Sequence, residues 1–96
     1  MAKVLVGKED VEVPDGSIVE LNYYIVKENI FYEELNARHV SYGIEIEKVA
    51  NQFSNHERNF LRDITCNRKE ILRIADLLRK NKVMPVHLKD VMEDFI

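Results

Sequence analysis

A chain of 96 residues with 46% hydrophobic and 32% charged side chains has the makeup of one globular domain, able to bury roughly 60–65% of its unfolded surface without a disulfide or metal staple. Its net charge of −3 argues against a general nucleic-acid binder, and no run reaches the ~20 apolar residues of a membrane span. A single cysteine, Cys66, excludes an intrachain disulfide and fits a reducing compartment, so a cytoplasmic location is expected.

The Met1-Ala2-Lys3 start and the short run Val4-Leu5-Val6 do not make a secretory signal. Residues 1–16 hold two short apolar bits, Val4 to Val6 and Val11 to Val13, and read as a small hairpin or a flexible arm. Pro14-Asp15-Gly16 closes them with a turn, because proline fixes φ and glycine accepts positive φ. A strand should follow. From Ser17 to Glu28 the odd positions Val19, Leu21, Tyr23 and Ile25 are apolar, while Ile18, Tyr24 and Val26 also make the even face half apolar.

Residues 29–38 show no clean period and read as a connection. Val40, Tyr42, Ile44 and Ile46 then alternate with Ser41, Gly43, Glu45 and Glu47, the clearest period-two segment in the chain. Ala50 to Glu57 is polar and suits a hairpin connection, and Arg58 to Ile64 can return as a third strand although Phe60, Leu61 and Ile64 do not alternate strictly.

The last third, 65–96, carries two amphipathic helices. Asn67 with Glu70 forms a capping-box-like start, with Thr65 as the alternative cap. Ile71, Ile74, Ala75 and Leu78 make one stripe, widened by Leu72 and Leu77. Asn81 can end that helix in the left-handed conformation, and Pro85 can open the next. Leu88, Val91, Met92 and Phe95 repeat the stripe opposite Lys89, Asp90, Glu93 and Asp94. Short helices are marginal alone in water, so both must pack on the strands of 17–64. The expected fold is α+β, a small antiparallel β-meander of three to four strands with the two C-terminal helices on one face. One domain spans 1–96, and the face away from the helices is left for the N-terminal arm or a second copy to cover.

Chemistry is thin. His87 and Asp90, at i and i+3, could chelate a metal or work as an acid/base pair, but a surface histidine with a local partner is the plainer reading. His56-Glu57 takes the same discount, and His39 stands apart; zinc needs three or four convergent ligands. Cys66, before the first helix, could be a reactive thiolate, though a small filler residue explains it as well. Gly7, Gly16 and Gly43 are isolated, and there is no phosphate loop or catalytic triad pattern. The tyrosines Tyr23, Tyr24, Tyr32 and Tyr42 suit cross-strand packing better than base stacking.

Charge is uneven: residues 1–64 carry 7 basic and 12 acidic side chains, residues 65–96 carry 7 and 5. Arg68, Lys69, Arg73, Arg79, Lys80 and Lys82 give the first helix and its link a basic side that could track phosphates, or simply face solvent.

Tyr42-Gly43-Ile44-Glu45-Ile46, the segment Val83-Met84-Pro85-Val86-His87-Leu88-Lys89-Asp90-Val91 and the ending Glu93-Asp94-Phe95 together resemble a family of short uncharacterised proteins from Gram-positive, spore-forming anaerobes, a domain of unknown function. The resemblance covers Ser17 to Ile96 and leaves residues 1–16 outside. It implies a bacterial cytoplasmic protein and brings no activity, cofactor or catalytic residue.

The expectation is therefore a non-enzymatic protein–protein interaction or regulatory module that self-associates, as a homodimer, or meets another protein through Ile18, Tyr24 and Val26, with His87 and Asp90 as further contacts. A nucleic-acid-associated regulator using the six basic residues is the alternative. No cofactor, metal, small-molecule substrate or membrane partner is expected.

Overall fold

The computed structural model describes residues 2–50 and 56–95. Four strands, β1 (Ala2–Glu12), β2 (Ile18–Tyr32), β3 (Ala37–Ala50) and β4 (His56–Thr65), form one antiparallel sheet in the order β1-β2-β3-β4. Two helices follow, α1 (Arg68–Lys80) and α2 (Leu88–Phe95). This is the α+β meander that the order of patterns implies. The middle of the polar connection expected over 50–57 lies outside the described residues, as do the side chains of Tyr32 and Phe95.

Two expected stretches differ. Residues 1–16 were expected as a self-paired hairpin or a loose arm, yet Ala2–Glu12 is a single edge strand paired along β2. The stretch 29–38, expected as a connection, is strand on both sides of a short 3-10 turn at Glu33–Leu35. Both central strands are consequently long, 15 and 14 residues. At ~3.4 Å per residue β2 alone spans about 50 Å, which sets the long dimension of a 53 × 26 × 19 Å molecule.

Alternation divides the sheet into two chemically different faces. Leu21, Tyr23 and Ile25 of β2 and Ile44 and Ile46 of β3 face the helices, where Ile71, Ile74, Ala75, Leu78, Leu88 and Met92 cover them. Pairing is in register, with Tyr23 opposite Ile46 and Ile25 opposite Ile44. Two bulges interrupt the flanking strands. In β1 the register shifts between Leu5 and Gly7, so Val4 shares a face with Ile25 and Val11 shares one with Val19 despite their opposite parity. In β4 the shift lies between Leu61 and Thr65, and Asp63 there adopts φ 54°.

The helix ends are built from side chains named in the sequence, with three differences. Asn67 accepts the Glu70 backbone N–H at 3.1 Å. The reciprocal half of the box is absent, because the Asn67 N–H donates to Thr65 Oγ1 and the Glu70 carboxylate pairs with Arg73 instead. At the other end Asn81 stays near φ −90°, and Lys82 takes the left-handed turn at φ 51°. Val83 N–H then reaches back to the Leu78 carbonyl. Pro85 opens a 3-10 turn, Pro85–His87, ahead of α2 rather than α2 itself.

Two long-range bonds fasten that connection to the sheet. The buried Tyr23 hydroxyl donates to the Val83 carbonyl at 3.0 Å, and Asn59 Nδ2 donates to the Pro85 carbonyl at 3.1 Å. Burial holds the Tyr23 phenol well above its ordinary pKa, so it remains a donor at any physiological pH. Tyr23→Phe leaves the Val83 carbonyl unpaired and is expected to cost about 1–2 kcal/mol in urea unfolding. An unchanged midpoint would mean this bond does not hold the connection.

Candidate functional site

The face of the sheet away from the helices is largely polar, and among the described residues no helix or further strand lies over it. Glu45 and Glu47, two residues apart on β3, both point to it and are only 7% and 8% exposed. Glu47 is the hub. Asn22 Nδ2 at 2.9 Å and the Tyr24 hydroxyl at 3.2 Å donate to its Oε1, while His56 Nε2 at 2.7 Å and Arg58 at 3.0 Å lie on Oε2. Lys3 pairs with Glu45 at 2.9 Å and sits 4.5 Å above the Tyr24 ring. Arg62 holds Glu28 through both carboxylate oxygens at the far end of the face.

This cluster is positioned by register alone: Asn22 lies opposite Glu47 on β2, and Arg58 lies opposite it on β4. Burial by itself pushes the Glu47 carboxyl up, but hydrogen bonds from Asn22, His56, Arg58 and Tyr24 outweigh it and hold the pKa at about 2. A carboxylate so satisfied is a poor base and a poor ligand, since both oxygens already have partners. Its chemistry is that of a structural anion. Among the described residues, no group of three or more histidine, cysteine or acidic side chains is placed to hold a metal.

The residues singled out in the sequence are dispersed. On the outer face Ile18 is 51% exposed, but Val26 is 3% exposed and the Tyr24 hydroxyl is spent on Glu47. His87 and Asp90 are both exposed, one in the 3-10 turn and one in α2. Cys66 is an exposed free thiol in the bend before α1. Of the six basic residues, Arg73 pairs with Glu70, Arg79 with Glu9 and Asp76, and Lys80 with Asp76. Arg68, Lys69 and Lys82 make no ion pair with the described residues.

A second surface was not foreseen. β1 starts opposite Lys27 and β4 ends opposite Tyr42, so the β2–β3 hairpin continues past both neighbours as a two-stranded ribbon. Phe31, near its tip, is 53% exposed. At its base, on the helix side of the sheet, is a hollow of about 340 Å³ floored by Val6, Ile25, Tyr42 and Ile71 and edged by Val4, Leu72, Lys27 and Arg68. Val4 and Leu72 are 59% and 43% exposed. The signal available in the sequence was Phe31 itself, an aromatic in a stretch with no buried face.

A family model described as a family of unknown function (DUF6514) matches residues 2–96. The match includes Ala2 to Gly16, which the resemblance had left outside. No curated protein and no solved structure matches the chain.

Proposed function

We propose, from the premise that the chain belongs to this family of unknown function, that it is a non-enzymatic interaction module of the bacterial cytoplasm that acts by associating with itself. The observation that carries this reading is the ribbon, which leaves the body of the protein with Phe31 exposed and, among the described residues, no covering layer. A two-stranded hairpin is at best marginal alone in water, so an exposed ribbon of this kind gains from a surface to lie on. Glu47, the carboxylate held furthest below its ordinary range among the described residues, is engaged through both oxygens in bonds between strands, which argues against a catalytic role for it.

Light scattering on the eluting protein should give a mass of about twice the 11.3 kDa chain at concentrations of order 100 μM, with an absorbance ratio free of nucleic acid. A monomer throughout would overturn the reading. Nucleic-acid binding through α1 and its link is the weaker alternative, because three of their six cations are already paired. A monomer that elutes with nucleic acid and releases it in salt would bring it forward.

A further inference from the structure

Five rungs of the hairpin, from Glu28 opposite Ser41 to Tyr32 opposite Ala37, lie beyond the flanking strands. They make a ribbon roughly 17 Å long, closed by the turn Glu33–Leu35. Its tip is acidic: Glu33 and Glu34 are both exposed. On the helix-facing side of the same hairpin, α1 reaches only to the level of Lys27 and Tyr42, where Arg68 and Leu72 edge the apolar hollow. No acidic residue lines that hollow, and Lys27 and Arg68 make no ion pair with the described residues. One hairpin thus carries a knob made of Phe31 with exposed Arg38 opposite it and two anions at the tip, and an apolar socket with two cations at its base.

Building on the self-association reading, we propose that the socket receives the ribbon tip of a second copy of this chain. The two ribbons run antiparallel across a two-fold axis at the level of Asn29 and Val40. Phe31 of each copy enters the hollow of the other, and Glu33 and Glu34 of each meet Lys27 and Arg68 of the other.

The distances suit this arrangement. Phe31 and Lys27 share one pleat face four residues apart, about 14 Å along the strand, so an axis halfway between them brings both knobs to both sockets at once. The contact is isologous and closes after two copies, which leaves no knob to propagate a fibre. Each ribbon also covers the part of the other's helix-side face that α1 leaves bare, at the spacing of about 10 Å usual for stacked sheets. A contact confined to two ribbon tips and two sockets lies at the low end of size for specific interfaces, so the dimer should be weak and in micromolar exchange.

Sedimentation velocity from about 1 to 500 μM tests this. Phe31→Ala should weaken the dimer at least tenfold, and 0.5 M salt should weaken it as well. The tip variant Glu33→Lys with Glu34→Lys should be monomeric, as should the socket variant Lys27→Glu with Arg68→Glu. Mixed one to one, these two variants should associate again, because each tip then faces a socket of opposite sign. Circular dichroism melts of the separate variants establish that each is folded. If the wild type dimerises but the charge reversals leave its affinity unchanged, or the mixture fails to associate, the tip-to-socket contact is wrong while self-association stands. A wild type that stays monomeric overturns both.

Discussion

Glu47→Ala is expected to destabilise the protein by about 2–3 kcal/mol at neutral pH, equivalent to roughly 10 °C in Tm for a chain of this length. The truncation strips the Asn22 amide, whose Oδ1 has no partner among the described residues, of its bond to Glu47, and leaves the Tyr24 hydroxyl and Arg58 without the carboxylate they share. Most of the cost is the penalty for leaving a buried amide and a half-buried phenol unpaired, because His56 and Arg58 are about half exposed and can turn to water. Glu47→Gln keeps an acceptor oxygen and should cost less. The pH dependence separates charge from packing. The folded carboxyl titrates at about 2 against an ordinary value of 4.5, so folding favours its ionised form. That stabilisation is complete above pH 4.5 and is lost as the pH falls from 4.5 towards 2. After a discount for the exposed partners it amounts to about 1–2 kcal/mol. Urea unfolding at pH 7 and pH 3 should therefore show a gap between wild type and Glu47→Gln that narrows in acid. A gap that stays constant would mean that the ionised group contributes nothing beyond its shape.

The same cluster marks where pattern reading reaches its limit. Glu45 and Glu47 were legible as a pair on one strand face, because they alternate with Ile44 and Ile46. Their partners were not, since Asn22 and Arg58 meet Glu47 only through the β2–β3 and β3–β4 registers. Period two is the imprint of one covered face, and it is clearest on β3, which lies beneath the helices. It fails on β1, where the bulge at Val6 switches the inward-facing parity between Val4 and Val11, and on β4, where the bulge around Asp63 brings both Leu61 and Ile64, of opposite parity, against the core. It fails differently over 29–38. Past the Glu28–Ser41 rung no described side chain of the ribbon is fully buried, so there is no buried face to select for and a regular strand pair reads as a connection. The helices, whose stripes are set by a single packing surface, were readable nearly to the residue. The left-handed turn moved from Asn81 to Lys82, Glu70 bonds Arg73 rather than closing the capping box, and Pro85 opens a 3-10 turn ahead of α2.

Gly43→Ala should be the most damaging single-methyl change in the protein, costing about 3 kcal/mol and ten degrees or more of Tm. A Cβ at this position would stand 2.2 Å from the Leu61 carbonyl oxygen and 3.0 Å from Arg62 Cα. These are backbone atoms, so no rotamer relieves the clash, and β4 must move away from β3 where its bulge already thins the ladder. The displaced segment runs directly into the Asn67 cap of α1, so the strain passes to the seating of the helix layer. Gly16→Ala is the control. Gly16 has φ +88° and nothing within 4 Å of an added Cβ, so alanine there meets only the left-handed backbone penalty of about 1 kcal/mol. Equal effects at the two positions would show that β4 yields freely at its bulge. A gap of 2 kcal/mol or so would show that close contact between β3 and β4 is what holds the helices over the sheet.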